Sequence, residues 1–146
     1  MNISLRRGEA RDLPFIYRLE RRYIEDLEAD QFERWQNSME RHLEQWLADL
    51  PRTSIAELGD IKAGYLFWEM EHSKAVAASV NVEPQHRRNG IATMLLKNFE
   101  KEAGSAGFSV LEVGFVSHNP AKALYVRLGY RTIATEGRYT FMNKHI

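Results

Sequence analysis

The chain contains no cysteine, which excludes disulfides, thiolate metal sites and cysteine nucleophiles. Proline is scarce, with four in 146 residues, and no Pro/Gly/Ser-rich or other low-complexity linker divides the chain. No run of about 18 apolar residues occurs, so no membrane span is expected. The opening "MNISLRRGEARDL" lacks the apolar stretch of a signal peptide. Net charge is missing as well: 20 basic and 20 acidic side chains cancel. That removes the whole-molecule positive field on which nucleic-acid binders rely. A hydrophobic fraction of 44% suffices for one packed core, and the expectation is a soluble, cytoplasmic, single domain spanning residues 1–146.

What is present is a change of period along the chain. Ile3 to Arg6 reads as a short strand. The stretch "EARDLPFIYRLERRYIEDL" carries Ile16, Leu19, Tyr23 and Leu27 at helical spacing, with Asp12 as cap and Pro14 in the first turn. A second helix is expected through Phe32, Trp35, Met39, Leu43, Trp46, Leu47 and Leu50, ended by Pro51. The period then falls to two in "RTSIAELGD", "IKAGYLFWEMEH" and "KAVAASVNVEP", an antiparallel meander turning at Gly59-Asp60 and near Ser73. A helix with Ile91, Leu95 and Phe99 follows, then the apolar strand "FSVLEVGFV". Next comes a helix capped by Asn119, opened by Pro120 and ended by Gly129, and finally a pair of strands. The order implies an α/β protein: a mixed sheet with flanking helices.

The chemistry concentrates in "QHRRNGIATMLL", residues 85–96. A helix start offers unpaired backbone N–H groups and the positive end of its dipole to an anion. Gly90 permits strained dihedrals and close approach, Ala92 keeps bulk away, and Arg87 and Arg88 add charge. Two linked phosphates would use the whole loop, yet an ordinary capped helix with a solvated basic turn accounts for the spacing equally well. Neither G-x-x-x-x-G-K-[ST] nor G-x-G-x-x-G occurs.

"VNVEPQHRRNGIATMLL" resembles motif A of the GNAT superfamily of N-acetyltransferases, Q/R-x-x-G-x-G/A, through Arg87, Gly90 and Ala92. "HNPAKALYVRLGY" resembles its motif B through Asn119, Tyr125, Gly129 and Tyr130, with six residues from Asn119 to Tyr125 where seven is commoner. The resemblance implies the GNAT acyl-CoA N-acyltransferase fold and acetyl-CoA as co-substrate, with no metal. It implies that the donor is held by Val80, Val82, Arg87, Arg88, Asn89, Gly90, Ile91, Ala92, Thr93 and Asn119. It further implies a strand that splays at Val80 to Val82 to pair with the pantetheine arm, an oxyanion donor among the amides near Val82, and Tyr125 near the thioester sulfur as general acid. The acceptor would be a primary amine, either a small molecule or a peptide N-terminus, that attacks directly; a homodimer is compatible. A non-catalytic acyl-CoA-binding or regulatory module is the alternative.

A general base is not assigned: Val76 and Ala78, read as inward, cannot take a proton, leaving Glu69, Glu71, Glu112 or a water chain. The acidic run Glu25, Asp26, Glu28, Asp30 and Glu33 reads either as an attractor for a cationic amine or as a solvated helix end. Trp35 and Trp46 read as core, His118 as exposed punctuation, and His42, His72, His86 and His145 show no metal-ligand spacing.

Overall fold

The computed structural model describes residues 2–146. Seven strands form one sheet: β1 (Ile3–Arg7), β2 (Thr53–Leu58), β3 (Ile61–Glu71), β4 (Lys74–Val82), β5 (Val110–Val116), β6 (Arg131–Glu136) and β7 (Tyr139–His145), in the order β1-β2-β3-β4-β5-β7-β6. Every neighbouring pair is antiparallel except β4 and β5, which run parallel and are joined by the crossover helix α4 (Ile91–Ser105). The expected mixed sheet with flanking helices is what forms, and the meander turns where expected, with Gly59 at φ 61° and His72 at φ 57° beside Ser73.

The strand alternation sorts side chains onto two cores. Leu66, Trp68, Ala75, Ala77, Leu111, Val113 and Met142 meet α4 through Ile91, Leu95, Leu96 and Phe99, all buried. On the opposite face Ile55, Tyr65 and Phe67 meet α1 (Leu13–Leu27) through Phe15, Ile16 and Leu19.

Three local expectations are corrected. The helix expected from Phe32 to Leu50 is two helices, α2 (Phe32–Asn37) and α3 (Met39–Ala48), broken at Ser38. The Ser38 hydroxyl donates to the Arg34 carbonyl (3.0 Å) and competes with the helix backbone there. The break rotates the stripe: Trp35 and Trp46 are buried, but Leu43 and Leu47 are 39% and 49% exposed. Trp35 and Trp46 are linked through the stacked ring of His42, which makes them core. Second, Asp12 makes no side-chain cap on α1; it is a buried carboxylate gripped by Arg6 and Lys62. Third, α5 spans Lys122–Arg127, so Pro120 precedes the helix; the Asn119 side chain accepts the Ala121 amide (2.9 Å), and the resulting turn delays the start.

Where α3 meets β2, Asp49 is buried beside Arg52 (2.9 Å), and its second oxygen has no hydrogen-bond partner among the described residues. Burial, and the nearby negative charge of Glu69, push its carboxyl up to about 7. A folded-state value above the unfolded one, about 3.9, means that the native state holds the proton more tightly. Its contribution is therefore full below about pH 4 and is lost as pH rises through about 7. Asp49→Asn should flatten this trend, raising the melting temperature at pH 8 more than at pH 5 in thermal melts at the two values.

Candidate active site

The geometry of the site begins with one extra residue. Phe67 pairs with Ser79 and Trp68 with Ala77, so Ala78 is a β-bulge in β4. Pairing of β4 with β5 runs from Lys74–Val110 to Ala77–Val113 and stops there. Beyond the bulge β4 stays on β3 while β5 stays on β7, and the two parallel strands part. The Glu83 amide donates to the Ala63 carbonyl (2.7 Å). Antiparallel alternation then points the amides and carbonyls of residues 79 and 81 at β3, and those of Val80 and Val82 across the gap. Gly64 permits the close β3–β4 approach here, since a Cβ on it would lie 2.8 Å from the Asn81 carbonyl oxygen.

A cleft of about 760 Å³ fills the gap. Val80, Asn81 and Val82 form one wall, the loop and first turn of α4 another, α5 a third, and Leu19, Arg22, Tyr23 and Asp26 of α1 close it. The loop is bent by two residues in the left-handed region, Arg88 at φ 66° and Gly90 at φ 77°. For Arg88 that conformation is strained, which the spacing of the motif did not indicate. The result is a run of amides, residues 88–93, that donate to no protein group among the described residues. They stand at the positive end of a 15-residue helix, with Arg22, His86, Arg87, Arg88 and Arg127 around the cleft. Such a concavity suits a diphosphate.

Tyr125 of α5 lines the same cleft. Its ring is buried, stacked on Phe115 at 5.2 Å and edge-on to Tyr130 at 6.0 Å. Its side chain lines the cleft, and its hydroxyl has no hydrogen-bond partner among the described residues. Burial pushes the phenol up to about 12, so it stays protonated throughout the range in which an amine is nucleophilic, while matching a thiol less closely than an ordinary phenol would.

Of the residues singled out from the sequence, Val80, Val82, Arg87, Arg88, Gly90, Ile91, Ala92, Thr93, Asn119 and Tyr125 meet in this cleft; Asn89 is on the loop but does not line it. Leu19, Arg22, Tyr23 and Leu27 of α1 and Asn81, Leu124 and Arg127 went unrecognised as cleft residues. The periodicity of α1 marks its core face, and nothing local distinguishes a cleft wall from solvent.

The candidate bases fall outside the cleft. Glu112 pairs with Lys74 (2.8 Å), Glu69 accepts the Gln45 amide (3.0 Å), and Glu71 is exposed at the end of β3. The parity that made Val76 and Ala78 inward fails at the bulge, past which Ser79 and Asn81 occupy the α1 side, where they bond to Tyr65. The acidic run does not act as one surface either. Glu28 is buried and accepts the hydroxyls of Tyr23 (3.0 Å) and Tyr139 (2.5 Å), and Asp30 takes both terminal nitrogens of Arg138 (2.8 and 2.6 Å). Both hold the β6–β7 hairpin tip against the end of α1, while His118, on the loop between β5 and α5, contacts the Leu27 carbonyl with its ring (3.1 Å). Only Asp26 of the run lines the cleft. Among the described residues no cluster of three His, Asp or Glu side chains is placed to hold a metal ion, and no helix is long and apolar enough to cross a membrane.

A family model described as "Acetyltransferase (GNAT) family" matches residues 20–130. No curated protein matches the chain. Among solved structures, the PaiA N-acetyltransferase of Thermoplasma acidophilum in complex with coenzyme A superposes with a TM-score of 0.85 at 19% identity, over 100% of both chains. A ribosomal-protein-alanine N-acetyltransferase of Brucella melitensis gives 0.79 at 24% identity, over 98% of this chain and 99% of that one. The yncA putative acetyltransferase of Salmonella typhimurium, solved with acetyl-CoA, gives 0.77 at 20% identity, over 99% and 94%. At these identities the likeness to the three structures is one of fold.

Proposed function

Because the chain belongs to the GNAT acetyltransferase family, we propose that it transfers the acetyl group of acetyl-CoA to a primary amine by direct attack. The observation that carries this reading is the parting of β4 from β5 at Ala77–Val113, which joins an unpaired amide cradle to an unpaired tyrosine hydroxyl in one cleft. The co-substrate supplies an activated thioester. The amides of residues 88–93 hold its diphosphate, with Arg87 and Arg88 adding charge. Val80 and Val82 offer strand-edge N–H and C=O groups to the amide-bearing arm, as an edge strand would to a new partner. An amide of this segment, near Val82, receives the charge that develops on the carbonyl oxygen. Tyr125 donates a proton to the departing sulfur.

The donor half of this reading is tested by calorimetry. Acetyl-CoA should bind the wild-type chain, and Gly90→Ala should bind it about tenfold less tightly. The new Cβ meets no atom within 4 Å, so the loss would come from the left-handed backbone, which costs an L-residue about 1–2 kcal/mol and would re-aim the amides. No heat from a folded wild-type chain would remove the reading. The acceptor half is tested by thiol release across small amines, polyamines, amino acids and peptide N-termini. Tight binding with no turnover would identify a non-catalytic acyl-CoA-binding module instead.

A further inference from the structure

Amine acetylation needs a neutral amine, and the cleft walls carry Asp26 and His86 as groups that could receive its proton. Beneath β4, however, is a carboxylate that has no cationic partner. Glu20 is half-buried on α1, between the cleft-lining Leu19 and Tyr23. Among the described residues it forms no ion pair, although Arg18, Arg21 and Arg22 lie within two positions of it on the same helix. Arg18 turns to Glu83 (2.8 Å) and Arg21 to Glu25 (3.5 Å).

Glu20 is instead the end of an oriented chain of hydrogen bonds. Asn81, which lines the cleft, donates its amide to the Tyr65 hydroxyl (2.7 Å). Tyr65 and Ser79 share a hydrogen bond (3.1 Å), and the Ser79 hydroxyl donates to a Glu20 oxygen (2.7 Å). Because Ser79 gives its own hydrogen to Glu20, its oxygen accepts the Tyr65 hydrogen on one lone pair, and the second, 3.5 Å from the Asn81 amide, can accept another on this half-buried residue. The bulge at Ala78 is what turns Ser79 and Asn81 to this side.

Resting on the N-acetyltransferase reading, we propose that Glu20, acting through the Ser79 hydroxyl, takes the proton that a cationic amine must lose before it attacks. The ammonium R–NH3+ gives one proton to the Ser79 oxygen while Ser79 passes its own to the Glu20 carboxylate, leaving R–NH2, an intact serine and a protonated Glu20. The amine nitrogen then forms the C–N bond and the C–S bond breaks. Tyr125 gives its proton to the sulfur and is reprotonated, through cleft water, by the second proton leaving nitrogen. Glu20 returns the first to solvent, so one proton is released per turnover. The unpaired carboxylate also defines the acceptor class, because a cationic amine supplies the positive charge that the surrounding arginines do not.

The titratable groups facing Glu20 are Tyr65 from β3 and Tyr23 on its own helix. Burial raises the Glu20 carboxyl above the usual carboxylate range, and the Ser79 hydrogen bond opposes the rise. The shift brings a weak base closer to the pH at which it must work.

The test is the pH profile of kcat/KM for wild type and Glu20→Gln, with 1,4-diaminobutane and a peptide bearing a free α-amino group as probes. Calorimetry with coenzyme A and a thermal melt accompany each variant. Glutamine can still accept the Ser79 hydrogen bond, so Glu20→Gln should fold and bind coenzyme A as wild type does. Its kcat/KM should fall about 100-fold at pH 7 and recover toward wild type by pH 10, where solvent deprotonates the amine. A merely structural role would lower the rate equally at every pH. Ser79→Ala should show the same pH-dependent deficit, and Glu20→Asp should restore part of the rate. Equal profiles for wild type and Glu20→Gln would overturn the assignment and leave the N-acetyltransferase reading intact. No turnover of either amine by a wild-type chain that binds coenzyme A would overturn the assignment together with the acceptor half of that reading.

Discussion

Tyr125→Phe is expected to lower kcat by about 10²–10⁴-fold, the range over which a positioned proton donor contributes. Coenzyme A binding should stay within about twofold, because the ring contacts are unchanged. The two effects separate for a structural reason. The ring of Tyr125 packs on Phe115 and Tyr130, and phenylalanine preserves that packing. The hydroxyl bonds to no protein group among the described residues, so its removal orphans no partner and should alter stability by less than about 0.5 kcal/mol. Steady-state kinetics, calorimetry and a urea titration on the one variant measure all three quantities. Equal kcat for the two proteins would remove the role of Tyr125 as proton donor. A large loss of stability would show that its hydroxyl is structural.

Asp12→Ala carries the largest expected effect on stability, about 3–5 kcal/mol, a large share of what a domain of this size possesses. The carboxylate is wholly buried. It receives both terminal nitrogens of Arg6 (2.8 Å each), the Lys62 ammonium (2.7 Å) and the Glu9 amide (2.8 Å). Removing it leaves Lys62 and the Glu9 amide without this partner and Arg6 with Glu57 alone (3.1 Å), at a site where both cations are only partly exposed. Asp12→Asn keeps the shape and some of the acceptors and should lose less. Desolvation alone would raise this carboxyl, but Arg6, Lys62 and the Glu9 amide together hold it well below the usual carboxylate range. A depressed folded-state value means that the stabilisation is present above the unfolded value, about 3.9, and is lost as pH falls toward the folded one. Denaturant midpoints taken between pH 7 and pH 2 should therefore stay separated down to about pH 4 for wild type and Asp12→Asn and draw together below it. Midpoints that stay equally separated would show that packing, and not charge, accounts for the difference.

Cleft residues differ in how far the chain announces them. Gly90, Ala92 and the helix behind them are local features: a φ of 77° at a helix start asks for glycine, and the apolar repeat through Ile91, Leu95 and Phe99 asks for a helix. Tyr125 stands out only because a motif places it, since a lone buried tyrosine is ordinarily core. Leu19, Tyr23 and Glu20 follow the same helical repeat as the core residues of α1, and nothing in their spacing says that one flank faces a cleft. Glu28 and Asp30 read as part of a solvated acidic run until Tyr139 and Arg138, more than a hundred residues later, come to meet them.

From its sequence alone the chain determined its element order, the antiparallel meander, the anion-ready start of α4 and the glycine that bends it, because each depends on residues a few positions apart. Tertiary structure decided the rest. Whether β4 carries an extra residue at Ala78 depends on how β3 pairs with it, and that one residue sets the parity of Ser79 and Asn81. Where β5 leaves β4 depends in turn on β7 holding β5. A bulge disturbs few local preferences yet redirects every side chain after it, so its position is settled by the packing of distant strands.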